Sequence, residues 1–153
     1  MIRAALRAPS PVASMNVNEP LAERRRIVTS NGTTLSVVDY GGAGPAILLL
    51  HGLAGRATEW QSTAQWLRQE FHVVALDQRG HGESAKRCSD YARRAYVEDA
   101  AAVIESFDLA PAIVIGQSMG ALNAYLVAAR LSASRKKPYP YRSRPDERFS
   151  DAR

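Results

Sequence analysis

Three short apolar runs that do not alternate with polar residues limit the folds open to this chain. They occupy residues 46–50, 73–76 and 112–115. A strand with one solvent-exposed face alternates apolar and polar residues, whereas a strand covered on both faces does not. The runs therefore predict neighbouring strands of a parallel sheet that other elements cover on both sides.

The segments between the runs have the spacing of helices. Trp60, Ala64 and Leu67 recur at i, i+4 and i+7. A second set has the same kind of spacing: Val97, Ala100, Ala101 and Ile104. Residues 118–131 are nearly uncharged, which is typical of a helix packed tightly against a sheet. Strands alternating with helices predict an α/β fold with right-handed crossovers.

An antiparallel hairpin precedes this alternation. Residues 27–30 and 33–38 are strand-like and flank Asn31-Gly32, which is typical of a two-residue turn. The folded domain is thus expected over residues 27–131.

The flanking segments have a different composition. Residues 1–26, rich in Pro, Ala and Arg, show no periodicity and are expected to be a disordered basic head. Residues 132–153 contain three prolines with seven Lys or Arg, and predict a disordered basic tail. Residues 27–131, between these two segments, contain ten acidic and eight basic residues. The positive charge of the chain therefore belongs to its ends, which argues against a nucleic-acid-binding body.

Several other functions are not indicated. No apolar run approaches the roughly 20 residues that span a bilayer, so we expect no membrane segment. Cys88 is the only cysteine and cannot form an internal disulfide, which favours a cytoplasmic location. The glycines of residues 41–44 precede a strand, unlike a phosphate loop. No metal-ligand spacing occurs, so neither metal nor cofactor is expected.

Three motifs follow the three apolar runs directly. They are His-Gly-Leu at 51–53, Asp-Gln-Arg-Gly-His-Gly-Glu-Ser at 77–84 and Gly-Gln-Ser-Met-Gly at 116–120. Active sites of open α/β sheets lie at the carboxyl ends of the strands. Together the motifs resemble the N-terminal half of the α/β-hydrolase fold, in its esterase, lactonase and haloperoxidase-like branch, over about residues 27–131. The fold class this implies is an antiparallel hairpin followed by parallel strands with crossover helices, truncated after the helix that follows Ser118.

Residues 116–120 predict a sharp strand-to-helix turn. Gly116 and Gly120 leave room where a Cβ would clash, and Ser118 is expected in a strained backbone conformation. The hydroxyl would then serve as a nucleophile, with the Met119 N–H directed at the oxyanion of a tetrahedral intermediate. A helix N-cap is the simpler alternative role for Ser118.

The resemblance implies roles for further residues. It makes the N–H of Leu53, after Gly52, the second oxyanion donor. In the family the catalytic histidine follows the serine, whereas His51 and His81 precede it, so structural roles are expected for both. His72 is expected at a strand start with no special role.

Asp77 resembles the structural aspartate of the family's glycine turn, which pairs with donors of that turn. A catalytic acid is the alternative role for this carboxylate.

The resemblance also implies what the chain lacks. A complete member of the family carries a catalytic acid and a histidine on loops beyond the helix that follows Ser118, and the basic tail takes their place here. No histidine follows Ser118, and without a base its hydroxyl is a poor nucleophile near neutral pH. Residues 113–115 would be a central strand that has lost one neighbour, leaving an apolar edge. We therefore expect a truncated or frameshifted hydrolase.

The expected substrate is a small carboxylic ester or lactone, with acyl transfer to Ser118 and impaired activity in this chain. Two alternatives remain: a non-catalytic hydrolase remnant or pseudoenzyme that binds a partner chain, and a basic-tailed nucleic-acid binder. The sequence leaves the oligomeric state open.

Overall fold

A five-stranded mixed sheet with helices on both faces forms the structure, a computed structural model that describes residues 22–134. The strands are β1 (Glu23–Val28), β2 (Thr34–Gly41), β3 (Ala46–Leu50), β4 (His72–Asp77) and β5 (Ala112–Gly116). The helices are α1 (Gln61–Leu67), which a 3-10 turn (Ala57–Trp60) precedes, α2 (Arg93–Ser106) and α3 (Met119–Ser134).

The sheet has the strand order β1-β2-β4-β3-β5. β2 pairs antiparallel with β1 and β4, whereas β3 runs parallel to β4 and β5. The predicted hairpin, parallel strands and crossover helices are therefore confirmed. Leu50 at the end of β3 pairs with Leu76 and with Gly116. The three motifs therefore begin side by side, at the carboxyl ends of three neighbouring strands.

β3 and most of β4 are buried on both faces, which explains why their apolar runs do not alternate. The run in β5 differs from the prediction, because this strand lies at the edge of the described sheet and leaves Ile113 exposed. Leu48 and Leu50 pack with α2 and α3, whereas Ile47 and Leu49 pack on the side of α1. Ala64 of α1 is fully buried, as its helical spacing predicts.

The hairpin turn differs from the predicted one. A two-residue turn of that kind needs positive φ at both central residues, but only Gly32 has it, with φ of 79°. The N–H of Gly32 donates to Thr29 and the N–H of Thr29 donates to Thr33. The connection is therefore a three-residue loop, Ser30 to Gly32. The Thr29 hydroxyl, which donates to Asn31 and accepts from Thr33 N–H, stabilises it.

Two element boundaries also differ from those predicted. β1 begins at Glu23 rather than Ile27, because Arg24 binds Ser36 and Asp77 across the sheet. α3 continues through Ser134 rather than stopping at Leu131, since no helix breaker occurs before Pro138. The rest of the predicted head and tail lies outside the described residues. Within residues 22–134, no helix has the length and apolar character needed to cross a membrane.

Candidate active site

The turn at Ser118 joins β5 to α3 and has the strained backbone that the sequence predicts. Ser118 has φ of 50°, in the left-handed region that side chains disfavour. A Cβ on Gly116 would lie 2.2 Å from the main chain of Gly120, and one on Gly120 would lie 2.2 Å from the carbonyl oxygen of Leu50. Both glycines are therefore required for α3 to leave the strand so abruptly.

The loop after β3 lies beside this turn. A Cβ on Gly52 would be 3.6 Å from the Ser118 Cβ. The Gly52 carbonyl accepts hydrogen bonds from His51 Nδ1 at 2.6 Å and from the Gly55 N–H at 3.1 Å. Because a trans peptide holds C=O and N–H on opposite sides, the Leu53 N–H is fixed pointing away from both donors.

The Met119 N–H has a similar fixed direction. The Ser118 carbonyl accepts from the N–H groups of Ala121 and Leu122, at 3.0 and 3.3 Å, so it points along α3. The Met119 N–H therefore points out of the start of the helix, where partial positive charge collects. Neither this N–H nor that of Leu53 has a hydrogen-bond acceptor among residues 22–134. Two backbone donors thus remain available beside Ser118.

His51 is a buried, neutral part of the loop scaffold. Its Nδ1 bonds to the Gly52 carbonyl, and its Nε2 accepts from the Gln78 N–H at 3.0 Å. A carbonyl can only accept and a backbone N–H can only donate, so the proton must be on Nδ1. Burial lowers the pKa of His51. The structural role expected for this residue is confirmed.

A buried amide chain that sequence reasoning missed connects this loop to α3. Gln78 donates its side-chain Nε2 to the His51 carbonyl at 2.6 Å, and its Oε1 accepts from Asn123 Nδ2 at 2.6 Å. Asn123 Oδ1 in turn accepts from Arg93 of α2 at 3.0 Å. Asn123, a polar residue within the nearly uncharged segment 118–131, was the available signal.

The other two histidines are also engaged. His81 bonds through Nδ1 to the Arg79 carbonyl, and its ring lies 5.1 Å from that of His51. His72 Nε2 lies 3.0 Å from Asp39 Oδ1 at the start of β4. No hydrogen bond within residues 22–134 joins a histidine to Ser118.

Asp77 organises the glycine turn after β4, as expected. Its carboxylate accepts from the N–H groups of Ala57 and Glu83, at 2.6 and 2.9 Å, and from Arg24 at 2.7 Å. Burial alone would raise the pKa of Asp77, but these donors outweigh it and hold the pKa below its usual value. A Cβ on Gly82 would collide with this carboxylate at 2.0 Å.

A second buried charge pair was not foreseen. Arg79 and Asp99 are both about 1 % exposed and form a bidentate pair at 2.6 and 2.7 Å. Arg79 also donates to the Asp90 carbonyl. Hydrogen bonding to Asp99 raises the pKa of Arg79, which keeps the guanidinium charged. Asp99 stands beside the apolar stripe of α2, and its position there was the only hint in the sequence.

Ser118 is exposed and lines neither of two surface cavities of about 320 and 330 Å³. The first lies beside Arg24 and Tyr40, and the second beside Asn31 and Glu98. No three His, Cys, Asp or Glu side chains in the described part of the chain lie close enough to share a metal ion.

This chain belongs to the alpha/beta hydrolase fold family, whose model matches residues 45–137. It is 35% identical over 97 residues to 2-(acetamidomethylene)succinate hydrolase of Mesorhizobium japonicum, covering 63% of this chain and 34% of that protein. It is 33% identical over 110 residues to a non-heme haloperoxidase of Rhodococcus erythropolis, covering 71% and 40%. The chain thus spans well under half the length of these relatives.

Solved structures agree in fold. The structure of E-2-(acetamidomethylene)succinate hydrolase superposes with a TM-score of 0.66 at 33% identity, over 72% of this chain and 41% of that one. An epoxide hydrolase from an endophytic Streptomyces has a TM-score of 0.67 at 31% identity, over 72% and 34%.

Proposed function

We propose that the chain carries the nucleophile half of a serine hydrolase site, which acts on small carboxylic esters or lactones by acyl transfer to Ser118. One observation carries the proposal: a serine with positive φ sits beside two backbone N–H groups that have no acceptor in the described structure. Strained backbone of this kind clusters at active sites.

The roles follow from this geometry. The Ser118 Oγ attacks the carbonyl carbon, and the alcohol leaves as the tetrahedral intermediate collapses to an acyl-serine, which water then hydrolyses. The N–H groups of Leu53 and Met119 stabilise the oxyanion, and each such donor is worth about 2.7–4 kcal/mol in the transition state. Gly52, Gly116 and Gly120 hold these donors and the serine in place.

This site lacks, among the described residues, a histidine that could accept the Ser118 proton. The sequence contains three histidines, and the described contacts engage each of them elsewhere. With no base for Ser118, we propose that this chain is inactive or strongly impaired. A site without one member of its triad retains roughly 10³–10⁴-fold acceleration over water.

The ester preference draws on the relatives. Protein phosphatase methylesterase 1 of Mus musculus is 38% identical over 108 residues, covering 66% of this chain and 28% of that protein. Its name supports hydrolysis of a carboxylic ester. No metal or cofactor is needed for the proposed steps, and a cytoplasmic location fits the lone Cys88.

The alternative is a non-catalytic hydrolase remnant or pseudoenzyme that binds a partner chain. The engagement of all three histidines favours it, as does the unpaired side of β5 within residues 22–134. Neither nucleic acid nor membrane is required by either proposal.

Hydrolysis of p-nitrophenyl acetate by the 153-residue chain and by Ser118→Ala separates the two proposals. Free imidazole can replace a missing histidine, so we expect the rate of the unmodified chain to rise with imidazole more steeply than that of Ser118→Ala. The variant corrects for hydrolysis by imidazole itself, and circular dichroism melts establish that both chains fold. Equal rates for two folded chains at every imidazole concentration would support the remnant.

A further inference from the structure

The open side of β5 presents backbone groups that lack a partner in the described structure. The Gln117 N–H donates to the Leu50 carbonyl of β3 at 3.1 Å. The backbone N–H and C=O groups of successive strand residues point to opposite sides in the plane of the sheet. Those of every second residue back from Gln117 therefore also point toward β3. The residues between them face the open side: Ala112, Val114 and Gly116. An unpaired edge of this kind is a template for another strand.

Apolar side chains flank this edge on both faces. On the α1 face, Ile113 is 47% exposed. On the other face, an exposed stripe of α3 carries no charge. Its members are Ala121, Leu122, Tyr125, Ala128, Ala129, Ser132 and Ala133. Tyr125 is 71% exposed and Leu122 is 48% exposed, and contiguous exposed apolar surface of this kind marks interaction sites.

Two other parts of the chain do not match this edge. β1, at the opposite edge of the sheet, exposes Glu23, Arg25 and Arg26. Residues 135–153 contain three prolines and seven Lys or Arg, and proline cannot donate to a strand ladder. The surface that matches an uncharged apolar edge is the same edge of another copy.

We propose that two copies of this chain associate through antiparallel pairing of their β5 strands about a two-fold axis at Val114. About this axis, Val114 lies opposite Val114 of the other copy, and Ala112 lies opposite Gly116 of the other copy. The outward N–H and C=O groups of these residues then form hydrogen bonds between the two copies. Each opposed pair exchanges two hydrogen bonds. Ile113 then faces Ile115 of the other copy on the α1 face.

The same axis brings the two α3 stripes together on the other face. Alanines along the stripe allow two helices to approach closely, and Leu122 and Tyr125 become covered. The contact is isologous, so it closes at two copies. It is independent of any reactivity of Ser118, so this inference and the esterase proposal can fail separately.

Sedimentation equilibrium of the 153-residue chain tests the association. We expect a monomer–dimer equilibrium, with the dissociation constant raised at least tenfold by Ile113→Lys and by Tyr125→Lys. Val28→Lys is the matched control, because Val28 is 69% exposed on β1, and it should leave the constant unchanged. A monomer at all concentrations would overturn the proposal, as would assemblies that grow beyond a dimer or that Val28→Lys weakens equally.

Hydrogen exchange tests the register. Amides of Val114 and Gly116 should be slowed as protein concentration rises, whereas the outward amides of Arg26 and Val28 on β1 should not. Protection of the β5 amides that does not depend on concentration would mean that another part of the same chain covers the edge, and would contradict pairing with a second copy.

Discussion

At Ser118 the backbone holds a conformation that glycine would adopt at no steric cost. The left-handed region costs an L residue roughly 1–2 kcal/mol, and the tight exit of α3 imposes it here. A helix N-cap alone would not require this, since N-cap residues take extended φ and ψ. The strain is therefore a property of the turn, separate from helix capping.

Replacing Ser118 by glycine should stabilise the fold. We expect Ser118→Gly to raise the free energy of unfolding by about 0.5–1 kcal/mol relative to Ser118→Ala, because glycine relieves the strain. At Ser62, in the ordinary geometry of α1, the same comparison should give glycine as the less stable variant by up to about 1 kcal/mol. Urea unfolding measures both, and equal signs at the two positions would show that residue 118 is unstrained.

His51 makes stability depend on pH. Burial lowers its pKa in the folded state, so below the unfolded value of about 6.5 the unfolded chain binds more protons. The His51 contribution is complete above pH 6.5 and declines as pH falls, by at most about 1.4 kcal/mol per pH unit.

Urea unfolding between pH 5 and 7.5 should display this slope. We expect His51→Gln to flatten it, and His81→Gln to retain the part due to His51. Nitrogen-15 NMR of the histidine rings gives a check that needs no substitution: neutral His51 should be the Nδ1–H tautomer and should become protonated at a lower pH in the folded chain than in the unfolded chain. Protonation of His51 at the same pH in the folded and unfolded chains, or at a higher pH in the folded chain, would contradict the assignment.

Between elements, side-chain bonds connect the loop after β4 to two helices. Arg79 joins the loop to Asp99 of α2, and Gln78 joins it to Asn123 of α3. These bonds hold this loop, which contains the glycine turn, and the His51 loop at fixed positions relative to Ser118.

Removing one member of the Arg79–Asp99 pair should be costly. Asp99→Asn leaves a buried guanidinium without its counter-charge, and we expect a loss of about 3–5 kcal/mol in the free energy of unfolding. Glu98→Gln, the neighbouring control, breaks exposed ion pairs and should cost at most about 1 kcal/mol. The double variant Arg79→Met/Asp99→Leu should recover much of the loss. No recovery would mean that packing, rather than the uncompensated charge, is responsible.

The elements that the sequence predicted correctly are those with strong local patterns. The runs that became β3 and β4 are buried on both faces, the run that became β5 is a parallel strand at the edge of the sheet, and the turn at Ser118 is specified by its glycines. The predicted start of β1, Ile27, lies beyond its actual start at Glu23. An arginine at position 24 is typical of an exposed segment, and its partner Asp77 lies 53 positions away. The Gln78–Asn123 bond spans 45 positions. No local pattern specifies contacts between such distant residues.

The whole molecule has two apolar layers, one on each face of the sheet. The layer under α2 and α3 contains Leu48, and the layer on the α1 side contains Leu49. Adjacent residues of one strand thus belong to different parts of the core.

Truncation in either layer should destabilise the fold. Leu48→Ala and Leu49→Ala each remove a fully buried side chain, and we expect each to cost about 2–5 kcal/mol. Trp66→Ala should cost no more than about 0.5 kcal/mol, because Trp66 is 71% exposed. Thermal and urea unfolding measure these differences. A near-neutral result at Leu49 would mean that the α1 layer contributes little to stability.

The crowding at Gly116 and Gly120 bears on how this chain would change under mutation. A Cβ at either position would collide with main-chain atoms. Both glycines would therefore persist in a copy that had lost all catalysis. Ser118 is different, since a lineage released from selection for acyl transfer would gain stability by exchanging it for glycine. The amino acid at position 118, rather than the glycines around it, is therefore the one that records whether a descendant still performs chemistry.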